Sequence, residues 1–160
     1  MGRAPFQVLV LPYKITDGSV LYAVFRRSDG DYWQWIAGGG EDNESPIEAA
    51  KREAWEEARI CSPSEFLALD SRATVPVEGI SGFLWGPDVL VVPEYCFAVM
   101  FDGVLKLSHE HSELAWMDYE SASKALKWDS NKNALWELNH RLLCGLSTVP
   151  SENCLLITKD

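Results

Sequence analysis

With 160 residues, 47% of them hydrophobic and seven of them tryptophan, the chain has enough apolar material for one packed domain over residues 1–160 and is too aromatic for a disordered segment. A net charge of -10 argues against a nucleic-acid polymer as partner, and a polyphosphate could approach only with metal ions or local Lys and Arg side chains to offset the field. No apolar run reaches the roughly 20 residues of a membrane span, no secretory leader pattern opens the chain, and Phe6 stands where an acylation signal needs Ser or Thr, so the expectation is a cytoplasmic protein without a membrane partner.

Two β-prone runs, Phe6 to Ile15 and Ser19 to Phe25, flank Thr16-Asp17-Gly18, and Asp-Gly between such runs predicts a hairpin. A polar turn at Ser28 to Asp31 leads into a short strand, Tyr32 to Ile36, which Gly38-Gly39-Gly40 is expected to end. From Pro46 to Ala58 the spacing predicts a helix with Ser45 as N-cap, Pro46 at its first position and Glu48 closing a capping box. Phe66 to Val75, Tyr95 to Phe101 and Glu113 to Met117 read as further strands. Val77 to Val92, rich in Gly and Pro, reads as a long loop able to cover a binding site. Glu120 to Lys127 and Asn131 to Leu143 read as helices, the second with Leu135, Leu138, Leu142 and Leu143 at helical spacing, and the residues from about Ser147 as peripheral. Strands interleaved with helices predict an α/β domain with a mixed β-sheet sandwiched between α-helices. The cysteines Cys61, Cys96, Cys144 and Cys154 lack CxxC spacing, and reduced thiols are expected.

The predicted Pro46 to Ala58 helix places Glu53, Glu56 and Glu57 at i, i+3 and i+4, on one face. A separate stripe of Ile47, Ala50, Ala54 and Ala58 lets the helix press against a sheet. Acidic runs are ordinarily solvated faces, and repulsion at this spacing costs only about 0.2–0.5 kcal/mol per pair. The surroundings decide otherwise. Gly38-Gly39-Gly40 stands just upstream as a backbone without side chains, able to approach a metal or phosphate.

From Gly38 the sequence runs five positions to Glu44, seven more, then Arg52-Glu53-Ala54-Trp55-Glu56-Glu57-Ala58-Arg59-Ile60. This stretch resembles the Nudix box, departing from it at Arg59, where the family has glycine; Ala37 likewise stands where proline is frequent. The expected order of strands and helices extends the resemblance over roughly Phe6 to Leu143.

The resemblance implies a hydrolase that cuts a phosphoanhydride with Mg²⁺, or Mn²⁺ in its place, held by Glu56 and Glu57, with Glu53 ligating or taking a proton from water. It places Arg52 as the residue that orients the carboxylates and Glu44 as a brace for the glycine loop. The Gly38 carbonyl and Glu110, with Glu113 second, are further candidate ligands. Arg26, Arg27 and the backbone at Gly39 and Gly40 are candidates for contact with substrate phosphates. Trp85 is the tryptophan placed to touch substrate. Zinc at His109 and His111 is rejected, because the pair lacks helical i, i+4 spacing and a third ligand.

The implied substrate is a small nucleotide-like diphosphate compound. Tyr32-Trp33-Gln34 and Trp128 to Ala134 are similar to a subgroup acting on dATP or dihydroneopterin triphosphate. The box itself handles only the diphosphate, so ADP-ribose and dinucleoside polyphosphates stay open. So does a non-catalytic ligand sensor, against which the intact acidic set argues. An isomerase of allylic diphosphates has Cys96 but no supporting pattern. A homodimer is left open.

Overall fold

The computed structural model describes residues 2–61 and 64–145, so the segment expected to be peripheral from about Ser147 lies outside the described residues. Strands β1 (Arg3–Thr16) and β2 (Ser19–Arg27) pair antiparallel and close at Thr16 opposite Ser19. Asp17 and Gly18 both take positive φ, 51° and 77°, as a two-residue hairpin of matching twist requires. The remaining strands are β3 (Trp33–Gln34), β4 (Ile36–Glu41), β5 (Phe66–Pro76), β6 (Val91–Met100) and β7 (His111–Met117).

They form a seven-stranded sheet ordered β3-β2-β1-β6-β5, with β4 also paired to β1 and β7 to β2. The β1–β6 pairing is parallel and the others are antiparallel, which makes the sheet mixed. Alternation along β1 sends Val8 and Val10 to one face and Leu9 and Leu11 to the other. The first face packs against α1 (Pro46–Ala58) through Ala49, Ala50, Ala54 and Ala58. The second packs against α2 (Tyr119–Ala125) and α3 (Asp129–Leu143) through Ala122, Ala134, Leu135 and Leu138. Helices therefore cover both faces, as the pattern predicts. Among them none is long and apolar enough to cross a membrane.

The glycine run does not end a strand but lies inside β4. Val8 pairs with Gly38 and Gln7 with Gly39. The absent side chains are used by the fold itself: a Cβ at Gly38 would collide with the Glu53 carboxyl, at Gly39 with the Arg3 guanidinium and at Gly40 with the Phe6 ring. Ala49, not Ile47, completes the packed stripe of α1, and Ile47 is 37% exposed. Leu143 is likewise exposed, its place in the core taken by Ala134. The segment after β5 begins with a 3₁₀ turn, Val77–Gly79, and yields to β6 at Val91, four positions before the expected strand start. Cys61 and Cys96 are free thiols.

Candidate active site

Helix α1 starts as its sequence dictates. The Glu48 backbone N–H donates to the Ser45 hydroxyl at 3.4 Å, and the Glu48 carboxylate accepts from the Ser45 N–H at 2.9 Å. At its other end Arg59 takes the left-handed conformation, φ 61° and ψ 33°, that a glycine would adopt more cheaply. Its guanidinium lies 5.1 Å from the centre of the Trp55 ring, a contact that offsets part of the cost.

Along the helix, Arg52 is the hub. Its Nε and Nη2 donate to the two oxygens of Glu44 at 2.8 and 3.0 Å, and Nη2 also donates to the Gly39 carbonyl at 2.8 Å. Nη1 donates to Glu53 at 2.8 Å and to Glu56 at 3.2 Å. Glu44 in turn accepts the Glu41 N–H at 2.7 Å. One guanidinium thus fixes the glycine strand, the loop and two acids together, which a planar fork with five donors can do and an ammonium cannot.

Glu53, Glu57 and Glu110 line a pocket of about 390 Å³ with Gly38 and Gly39. Glu57 is 4% exposed. One of its oxygens is set against the Ala37 backbone N–H, but Oε2 is buried without a hydrogen-bond partner. Burial, reinforced by the neighbouring Glu53 and Glu110, pushes its carboxyl up to about 10. Burial likewise raises Glu53, with Arg52 opposing. Glu110 arrives because Arg27 of β2 pairs with His111 of β7, and Ser28 holds the turn through its N–H to the Glu110 carbonyl and its hydroxyl to the His109 carbonyl, both at 2.9 Å. His111 Nδ1 faces Glu57 Oε2 at 3.9 Å, and burial, with Arg27 adding to it, drives the imidazole down to about 4, so it is neutral.

The donor chemistry fits a hard divalent cation. Arg52 pairs with Glu53 and Arg27 stands near Glu110, but Glu57 Oε2 is left without a partner, and Mg²⁺ needs only one or two carboxylates beside its waters. Among the described residues no three His, Cys, Asp or Glu side chains form a ready-made ligand set.

Other expected residues lie elsewhere. Glu56 is exposed and does not line the pocket. Arg26 is ion-paired with Asp31 and with Glu113, at 3.4 Å for the latter, and does not line the pocket. Arg27 grips Asp29 through two hydrogen bonds of 3.0 and 2.7 Å and stands 3.7 Å from Glu110. It also lines a second, larger cleft of about 610 Å³, whose aromatic members are Tyr32 and Trp128. Trp85 lines neither, and donates its Nε1–H to the Arg3 carbonyl at 2.8 Å.

The sequence reading missed Arg3, which lines the acidic pocket, and Glu94, which lines the cleft. Glu94 had a signal: a carboxylate inside the otherwise apolar run Val91 to Met100. Arg3 had none, because its place depends on β1 extending three residues beyond the predicted start at Phe6.

The chain is 32% identical over 138 residues to the dihydroneopterin triphosphate diphosphatase of Escherichia coli K12, an alignment spanning 83% of this chain and 91% of the relative. A crystal structure of a candidate NUDIX hydrolase from Listeria monocytogenes superposes with a TM-score of 0.83 at 45% identity, covering 92% of this chain and all (100%) of that one. The structure of the E. coli dihydroneopterin triphosphate pyrophosphohydrolase shares the fold, with a TM-score of 0.70 at 23% identity over 87% of this chain and 99% of that one. The NUDIX domain model matches residues 7–137, a stretch that contains β4, α1 and the pocket acids Glu53, Glu57 and Glu110, and the chain therefore belongs to the Nudix family, hydrolases that act on acid anhydrides.

Proposed function

We propose that the chain is a Mg²⁺-dependent pyrophosphohydrolase that cleaves a nucleoside-triphosphate-like substrate, with dihydroneopterin triphosphate and dATP as first candidates. The observation that carries this reading is Glu57 Oε2, a buried carboxylate oxygen without a partner beside Glu53 and Glu110. The name of the 32% identical relative supports the choice of dihydroneopterin triphosphate.

In this reading Glu57, Glu53 and Glu110 hold the ion, with Glu56 joining from the rim and the Gly38 carbonyl from β4. When bound, the ion neutralises the diphosphate and lowers the pKa of a water beside it. Arg52 holds Glu53 and Glu56 in register with the glycine strand. Glu53 takes the proton from the attacking water. Arg3 and Arg27, at the pocket and at its seam with the cleft, meet phosphate oxygens as the β4 backbone at Gly39 and Gly40 passes alongside. The rest of the substrate lies in the cleft.

The test is pyrophosphate release from each candidate with and without Mg²⁺. Glu57→Gln is expected to lower kcat about 10³-fold, roughly 4 kcal/mol in the barrier, in a protein that still folds. Wild-type turnover in the folded variant, or turnover indifferent to Mg²⁺ and chelator, overturns the reading.

A further inference from the structure

The cleft beside the acidic pocket contains a charged group that nothing in the mechanism uses. Glu94, on β6, is 6% exposed and lines the cleft, and its Oε1 is buried with no hydrogen-bond partner. Across the parallel ladder it faces Gln7 of β1, and on its other side Ala73 of β5. Its other polar neighbour is the Ser130 hydroxyl.

Three of the other polar side chains of the cleft are engaged elsewhere. Asn131 Oδ1 accepts the Trp35 N–H at 3.0 Å, Gln7 Oε1 accepts from Arg3 at 3.1 Å, and Arg27 is gripped by Asp29. A buried carboxylate oxygen left unpaired is costly unless something that enters the cavity satisfies it.

The rest of the cleft suits a flat ring. Tyr32 and Trp128 meet edge to face at 5.7 Å, and Lys127 Nζ braces both rings at 4.4 and 4.5 Å, so the aromatic wall is held in place. The volume of about 610 Å³ lies within the range of roughly 300–1,000 Å³ that small-ligand sites occupy.

We propose that Glu94 is a specificity residue that reads the edge of the substrate's heterocycle, accepting two adjacent N–H groups of a 2-amino-4-oxo ring, the pattern shared by guanine and pterins. Burial raises the Glu94 carboxyl above the ordinary glutamate range, with Ser130 opposing, and two donors on a ring edge would favour its ionised, acceptor-only form. The amino-lactam edge offers it two parallel donors. The corresponding edge of adenine offers one donor beside a ring nitrogen acceptor, which would face the carboxylate lone pair against lone pair. The proposal rests on the reading that the substrate's phosphates occupy the adjoining acidic pocket, and it selects between the candidate substrates that the metal site treats alike.

Binding and turnover are therefore measured separately. Titration calorimetry in Mg²⁺ compares α,β-methylene dGTP with α,β-methylene dATP on the wild type, on Glu94→Gln and on Tyr32→Ala. The guanine analogue is expected to bind about 10–100-fold tighter to the wild type. Glu94→Gln, which presents one donor and one acceptor, is expected to erase or invert that ratio. Tyr32→Ala, which removes stacking, is expected to weaken both analogues with the ratio kept. Because a ratio is read, a loss of folded protein cannot imitate the result.

Equal affinities in the wild type, a ratio unchanged by Glu94→Gln, or no binding of either analogue overturns the proposal. A guanine preference without Mg²⁺-dependent hydrolysis of dihydroneopterin triphosphate, dATP or dGTP supports recognition by Glu94 and instead removes the catalytic reading.

Discussion

Glu57 carries two opposite consequences for stability, depending on whether a cation is present. An unfolded glutamate titrates near 4.5 and the folded Glu57 near about 10, so between those values the metal-free folded chain holds a proton that the unfolded chain has released. Its contribution is therefore present below the unfolded value and lost as the pH rises toward the folded one. Mg²⁺ has to displace that proton. We expect its affinity to rise up to about tenfold per pH unit in this window, with one proton released per ion, as calorimetry in buffers of different ionisation enthalpy would show. Proton release of zero removes Glu57 as the titrating ligand. Glu57→Gln should flatten the loss of stability toward high pH and abolish the Mg²⁺ protection, which for the wild type is about 2.7 kcal/mol at a hundred times Kd. At Arg52 the prediction is geometric. Lysine keeps the charge but cannot bridge Glu44, Gly39 and Glu53 at once, so Arg52→Lys should lower kcat roughly 10–100-fold. A Lys variant with full activity would show that charge alone suffices.

Helix α1 could be read from one end to the other because its signals are local: an N-cap, a proline, a capping glutamate and three acids within two turns. Strand β4 could not. Glycine is a poor strand former, and the reason for three in a row lies in Glu53, Arg3 and Phe6, side chains that only the fold brings against them. The same divide separates Glu53 and Glu57, legible as a helical face, from Glu94, whose partnerless oxygen depends on how β1, β5 and β6 meet. At the exit of α1 the competing terms can be weighed. Left-handed backbone costs a non-glycine residue about 1–2 kcal/mol. Glycine would relieve that but add about 0.4–1 kcal/mol of unfolded-chain entropy and lose a ring contact of about 0.5–1 kcal/mol. Arg59→Gly is accordingly expected to change stability by no more than about 0.5 kcal/mol, measured by urea unfolding. A loss above about 2 kcal/mol would mean that Arg59 makes a larger contribution than its Trp55 contact.

Across the whole molecule, the acidic pocket draws Glu53 and Glu57 from α1, whereas the cleft draws on β5 and the start of α3, and the wall of the cleft depends on how β5 is held. The β5–β6 register shifts between Ala68 and Arg72, which takes Asp70 and Ser71 out of the ladder. Their N–H groups are recovered by Glu137 of α3, which accepts from Asp70 at 2.8 Å and from the Ser71 backbone and hydroxyl, each at 2.6 Å. Arg141 closes the clasp, donating to Glu137 at 2.7 Å and to Asp70 at 2.8 Å. Hydrogen bonds to a charged acceptor contribute about 1.5–3 kcal/mol each, but here they share one carboxylate, so Glu137→Ala should cost about 2–4 kcal/mol in total. At roughly 2–4 °C per kcal/mol for a chain of this size, the melting temperature should fall by about 4–16 °C. The residues just beyond the bulge, Ala73 to Pro76, line the cleft, whereas α1 packs on the opposite face of the sheet. Loosening the clasp should therefore raise KM several-fold while leaving kcat near its wild-type value. Faster amide exchange at Asp70 and Ser71 would accompany it. A variant that lost kcat and KM-independent Mg²⁺ affinity together would show instead that the two layers are coupled through the sheet, and that the cleft and the acidic pocket act as one unit.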